Sequence, residues 1–146
     1  MTNVKMQAMI GPDDVVHLKV PGPAVTVGSL IEVLNAVYEE GYCNYWVSEF
    51  DDVKKAELDL GGTVHNYTYA FRVKDLRDED TPEWLTVTVD TIQRGVELIM
   101  NGEIQLNKHT VESIRESVVM DELGALDSEE MDVVLQAGLF GEIIYG

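Results

Sequence analysis

Apolar positions along the chain recur with two periods, near 3.6 residues in some stretches and near two in others, and the switches between them mark the elements. Residues 3–10 read as a short strand stopped by Gly11-Pro12-Asp13-Asp14, and residues 15–20 (Val-Val-His-Leu-Lys-Val) as a second, ended by Pro21-Gly22-Pro23. A helix follows, capped by Thr26 or Ser29 and running to about Glu40. Leu30, Ile31, Leu34, Val37 and Tyr38 form its apolar face, and Gly41 stands where a left-handed C-terminal residue is wanted. From Tyr42 the period drops to two. Tyr42, Asn44, Trp46, Ser48 and Phe50 are expected on one face of a strand, with Cys43, Tyr45, Val47 and Glu49 on the other. Residues 51–63, acidic and then glycine-bearing, read as a loop with room for one helical turn between Asp52 and Glu57.

His65, Tyr67, Tyr69, Phe71 and Val73 alternate with smaller or polar residues and predict the strongest strand of the chain. Residues 84–89 predict another after the charged turn from Lys74 to Pro82. No helical crossover separates the last three strands, so they are expected to form an antiparallel meander. The remainder is helical. Asp90 with Gln93 resembles a capping box ahead of Ile92, Val96, Ile99 and Met100, and Gly95 inside that stripe implies a close neighbour. Thr110 starts a further helix (Val111, Ile114, Val118, Val119). Asp127 with Glu130, or Ser128 alone, caps the last (Met131, Val134, Leu135, Leu139), which Gly141 stops. The expected fold class is α+β: one domain over residues 1–146, with an antiparallel sheet of about four to five strands and helices on one face.

Charge adds what periodicity does not contain. The formal net charge is −17, from 27 acidic against 10 basic side chains, which disfavours direct binding to nucleic acid or an anionic membrane and suits a basic protein partner, a divalent cation or mimicry of a polyanion. From Thr110 onward Glu112, Glu116, Asp121, Glu122, Asp127, Glu129, Glu130, Asp132 and Glu142 face only Arg115. A single cysteine excludes an internal disulfide and suits a reducing compartment. No apolar run approaches the roughly 18 residues that span a bilayer, and one lysine (Lys5) with no long apolar core before Gly11 does not make a signal peptide. A cytoplasmic location is expected.

Candidate chemistry is sparse. Cys43 has no neighbouring cationic run to lower its pKa and reads as a small core residue, not a nucleophile. His17, His65 and His109 share no ligand spacing, and the acidic stretches 49–52 and 75–80 lack the alternating pattern of an EF-hand loop, so neither a metal nor another cofactor is expected. Gly61-Gly62-Thr63 lacks the lysine and helix of a phosphate loop. Two surfaces remain. A planar ligand would use Asn44, Tyr45, Trp46 and Tyr67 with Arg72 or Arg94; a protein partner, or a second copy of the chain, would use Glu112, Glu116, Glu129, Glu130, Phe140 and Tyr145.

Glu40-Gly41, Asn44-Tyr45-Trp46, Leu85-Thr86-Val87, the run from Asp90 to Leu98, and the ending Asp132-Val133-Val134-Leu135-Gln136-Ala137-Gly138-Leu139-Phe140-Gly141-Glu142-Ile143-Ile144-Tyr145-Gly146 together resemble a family of small phage and prophage proteins. The likeness covers mainly residues 39–47 and 84–146. The family pattern has Gly or Ser where this chain has Tyr42-Cys43, and alanine where Gly138 stands. The resemblance supplies no reaction. It implies an accessory role inside an infected bacterium: binding a host protein and altering its activity, without catalysis. The alternatives are a sponge for nucleotide signals and a DNA mimic acting against restriction or another host defence.

Overall fold

The computed structural model describes residues 15–16, 18, 24–60, 62–76 and 83–146. Their order is β1 (Val15–Val16), β2 (Val25–Thr26), α1 (Val27–Glu40), β3 (Val47–Leu60), β4 (Thr63–Asp75), β5 (Trp84–Thr88), α2 (Val89–Met100), α3 (Lys108–Val119), a 3₁₀ turn (Leu123–Ala125) and α4 (Ser128–Phe140). The class is α+β, with β1 and β2 forming an antiparallel pair and β3-β4-β5 an antiparallel three-stranded sheet. The meander expected of the last three strands is present. Among the described residues the strands expected in one sheet of four to five fall into two sheets, of two and three strands. The expected strand over residues 3–10, its turn at 11–14, the 21–23 stop and most of the 74–82 turn lie outside the described residues.

One apolar core joins helices and sheet. α1 contributes Leu30, Val33, Leu34 and Val37, β4 contributes Phe71 and Val73, β5 Val87, α2 Ile92, Val96 and Ile99, and α4 Met131, Val134 and Leu135. The helix starts are fixed locally. Thr26 Oγ1 accepts the Ser29 N–H at 3.2 Å, Asn107 Oδ1 the Thr110 N–H at 2.8 Å, and Asp127 and Glu130 exchange bonds of 2.8 and 2.9 Å in a capping box. Asn35, on α1, acts on the sheet. Its amide accepts the Thr68 N–H at 2.8 Å and donates to the Thr68 carbonyl at 2.7 Å. β5 pairs only with Ala70 to Lys74 of β4, so one helix side chain takes the place of a strand neighbour just past its end.

Two sequence expectations need correction. The aromatic stretch is not a strand. Residues 42–46 form tight turns in which Asn44 N–H donates to the Gly41 carbonyl and both Trp46 and Val47 N–H to that of Cys43, each at 3.1 Å, so strand begins only at Val47. Asn44 is therefore exposed and not enclosed between Tyr42 and Trp46. Residues 51–60, read as a loop, are strand. Asp52 adopts a left-handed φ of 50°, and the register with β4 shifts between Asp51 and Lys54 and again at Lys55. Such bulges break the two-residue period that identifies a strand.

Candidate functional site

The turn after α1 and the last helix, 86 residues apart, meet around one carboxylate. Asp132 is 6% exposed. Trp46 Nε1–H donates to its Oδ1 at 2.8 Å, while the Tyr45 hydroxyl and Gln136 Nε2 (3.2 Å) donate to Oδ2. Gln136, fully buried, extends the network. Its Oε1 accepts the N–H groups of Ile144 (3.0 Å) and Tyr145 (2.8 Å), and its Nε2 also reaches the Tyr145 carbonyl at 3.2 Å. The residues after α4 are thereby folded back. The Tyr145 ring stacks on Trp46 with centroids 5.4 Å apart and planes 5° from parallel, Phe140 meets the same indole edge-on at 5.5 Å, and the Tyr145 hydroxyl donates to Asp75.

This arrangement follows from helical spacing. Asp132 and Gln136 are four residues apart and share one side of α4, next to the stripe formed by Met131, Val134 and Leu135. Three neutral donors hold the carboxylate, and among the described residues no Lys, Arg or His pairs with it. Its neighbours register the charge. Burial, with Asp132 beside it, pushes the Cys43 thiol up to about 12. Tyr45 is 53% exposed overall, but its hydroxyl is turned onto Asp132, and desolvation together with that carboxylate raises its pKa well above 10. Both groups stay protonated at neutral pH. Cys43, with no exposed surface, is not available as a nucleophile.

Above the network lies an open cleft of about 460 Å³, lined by Tyr42, Tyr45, Leu106, Ser128, Glu129, Asp132, Val133, Ile143, Tyr145 and Gly146. Of the proposed planar-ligand set, Tyr45 lines it and Trp46 supports it from beneath. Asn44, Tyr67, Arg72 and Arg94 do not line it. Arg72 lies on the sheet, bonded to Asp51 at 2.6 Å and 5.0 Å from the Trp84 ring, with Lys74 at 4.5 Å from the same ring. The Asp52 N–H and this guanidinium hold Asp51 below the usual carboxylate range. Tyr67 is half-buried on β4, and its buried hydroxyl has no hydrogen-bond partner. Arg94 donates to the Gly138 carbonyl at 3.2 Å, where a cation suits the C-terminal end of α4. The aromatics and the two arginines are thus not one site.

Of the partner-facing set, Glu112, Glu116 and Glu129 are exposed, and Lys108 approaches Glu112 at 3.8 Å. Glu130 must be removed from that surface, since it is 7% exposed and occupied in the capping box. Phe140 and Tyr145 are half-buried against Trp46 and do not form a free apolar tail. Sequence reading missed Asp132 as a centre, Gln136 and Asp75. The available signal was a polar pair at i, i+4 within the apolar stretch from Met131 to Phe140 that follows an acidic first turn. Among the described residues no group of three or more His, Cys, Asp or Glu side chains is placed to hold a metal ion, and no helix is long and apolar enough to cross a membrane.

In comparisons with protein-family models, curated proteins and solved structures, no match to this chain was found.

Proposed function

We propose that this chain is a non-enzymatic accessory protein of phage or prophage type that binds a host protein and modulates it. The observation that carries the reading is the cleft over Asp132: open, walled by tyrosines, edged by Glu129, and set in a chain of net charge −17. The two stretches that meet there, residues 44–46 and 132–146, are among those on which the phage resemblance rests. A prebuilt cleft with a few convergent polar groups is the ordinary form of a binding site. The Tyr45 hydroxyl, the Asp132 carboxylate and the Gln136 amide are held by one another, which suits holding a partner more than proton transfer. A nucleotide sponge has less support, because Arg72 and Arg94 stand apart from Tyr45 and the lining is acidic.

Capture from bacterial lysate on the immobilised chain tests the reading, with a Tyr45→Ala, Glu129→Lys double variant as control. A discrete protein retained by the natural sequence and lost by the variant is the expected result. Repeated captures that enrich nothing over the variant would overturn it. A retained DNA-binding enzyme whose inhibition fades steeply with salt would shift the reading to DNA mimicry.

A further inference from the structure

The cleft combines aromatic rings with carboxylates. Three tyrosines, Tyr42, Tyr45 and Tyr145, line it together with two acidic residues, Glu129 and Asp132, and among the described residues no Lys or Arg lines it. Aromatic faces and carboxylates both attract cations, the former through the ring quadrupole. The N-terminal turn of α4 contributes roughly half a positive charge there. Asp127, Glu129 and Glu130 occupy that turn or its cap and outweigh it. The carboxylate of Asp132 is held in place by Trp46, Tyr45 and Gln136 and has no cationic partner among the described residues. Its negative charge is therefore oriented before anything binds, and a cation entering the cleft would meet it without rearrangement.

We propose that the cleft takes the ammonium group of a lysine side chain presented by the partner protein. The inference rests on the protein-binding reading above and specifies which chemistry that partner must present. Lysine fits better than arginine for a geometric reason. A carboxylate offers about four acceptor positions, and three donors already use both oxygens of Asp132. The paired fork of a guanidinium finds no matching pair of free positions, whereas an ammonium needs a single contact and can turn its other protons to Glu129 and water. Its four-carbon stem would lie along the tyrosine rings, Leu106 and Val133.

The test is an NMR titration of the full chain with Nα-acetyl-lysine methylamide, run beside its norleucine and arginine analogues at low salt. Lysine is expected to shift the Trp46 indole N–H and the Gln136 side-chain amide, and to bind about tenfold more tightly than norleucine, which has the stem without the charge. Arginine is expected to bind severalfold more weakly than lysine. Glu129→Gln alters an exposed side chain outside the buried network and is expected to weaken lysine binding about two- to fivefold while leaving the rest of the spectrum unchanged. Equal binding of norleucine, tighter binding of arginine, shifts that bypass Trp46 and Gln136, or no shift with any probe would each overturn the proposal. Loss of the lysine effect while a host protein is still captured removes the ammonium site and leaves the protein-binding reading standing. Lysine binding without any captured protein does the reverse.

Discussion

Removing the Asp132 carboxylate leaves three donors facing a gap, and they do not suffer equally. Tyr45 lies at the cleft and can turn its hydroxyl to water, but Trp46 and Gln136 have no exposed surface. Orphaning a buried donor costs about 1–3 kcal/mol, so Asp132→Ala is expected to lower the unfolding free energy by about 2–4 kcal/mol in urea titrations. Asp132→Asn keeps one acceptor oxygen and should lose less. Cys43 gives a separate signature in pH. Its thiol is raised from about 9 to about 12 by burial first and then by Asp132. Between those values the unfolded chain gives up a proton that the folded chain keeps, so this contribution is complete below pH 9 and declines as pH rises toward 12. The decline is about 1.4 kcal/mol per pH unit. The raised phenol of Tyr45 adds a loss of the same sign above pH 10. Cys43→Ala should flatten the decline of the unfolding midpoint from pH 9 upward, most visibly below pH 10, before the raised phenols of Tyr45 and Tyr67 contribute in full. An unchanged slope would assign the alkaline loss elsewhere.

At the scale of elements, the closest approach is between α2 and α4. A side chain on Gly95 would collide with the Val134 carbonyl, and one on Gly138 with that of Thr91. Each glycine thus lets its helix lie against the backbone of the other. Alanine at either position gains about 1 kcal/mol in helix propensity but forces the pair apart, and overpacking of this kind costs about 1–3 kcal/mol. Net destabilisation is expected for both Gly95→Ala and Gly138→Ala, read as lower urea midpoints. A displaced α4 would also disturb Asp132, so the Trp46 indole N–H resonance should move in both variants. Gly95 was legible as a site of close approach because it interrupts an apolar stripe; Gly138, near a helix end, gave no comparable sign. Legibility followed the strength of local signals. α1, α2 and α4 have 3.6-residue stripes that need no distant partner; α1 and α4 start at Thr26 and Asp127, each among the expected caps, whereas α2 starts earlier than expected, with Thr88 and not Asp90 at its N-cap. β3 was lost because its bulges place the inward-packed Phe50, Val53 and Ala56 three residues apart and not two. In the site, Tyr45 and Trp46 stood out as a rare cluster. Asp132 did not, since a carboxylate in an acidic helix looks like solvated surface until Trp46, 86 residues earlier, folds against it.

Across the whole molecule, 27 acidic and 10 basic side chains oppose two effects of salt. Screening weakens the attractive pairs, among them Arg72 with Asp51 at 2.6 Å, Lys74 with Glu49 at 3.4 Å and Lys108 with Glu112 at 3.8 Å. These are partly or largely exposed, and such pairs contribute about 0–1 kcal/mol each. Screening also relieves repulsion among the carboxylates, which outnumber the cations and crowd α3 and the segment up to α4. With a net charge of −17, relief of repulsion is expected to dominate. The thermal midpoint, followed by circular dichroism, should therefore rise as sodium chloride increases from about 10 to 300 mM, a range in which the screening length falls from about 30 Å to below 10 Å. Binding of a basic partner should move the other way, because the same ions screen the attraction that brings it in. The opposed signs separate two uses of one charge. A midpoint that falls with salt would mean that local ion pairs, and not the excess of carboxylates, govern the electrostatics of the fold. Partner affinity that stays constant over the same range would place recognition on the tyrosine walls of the cleft and not on its charge.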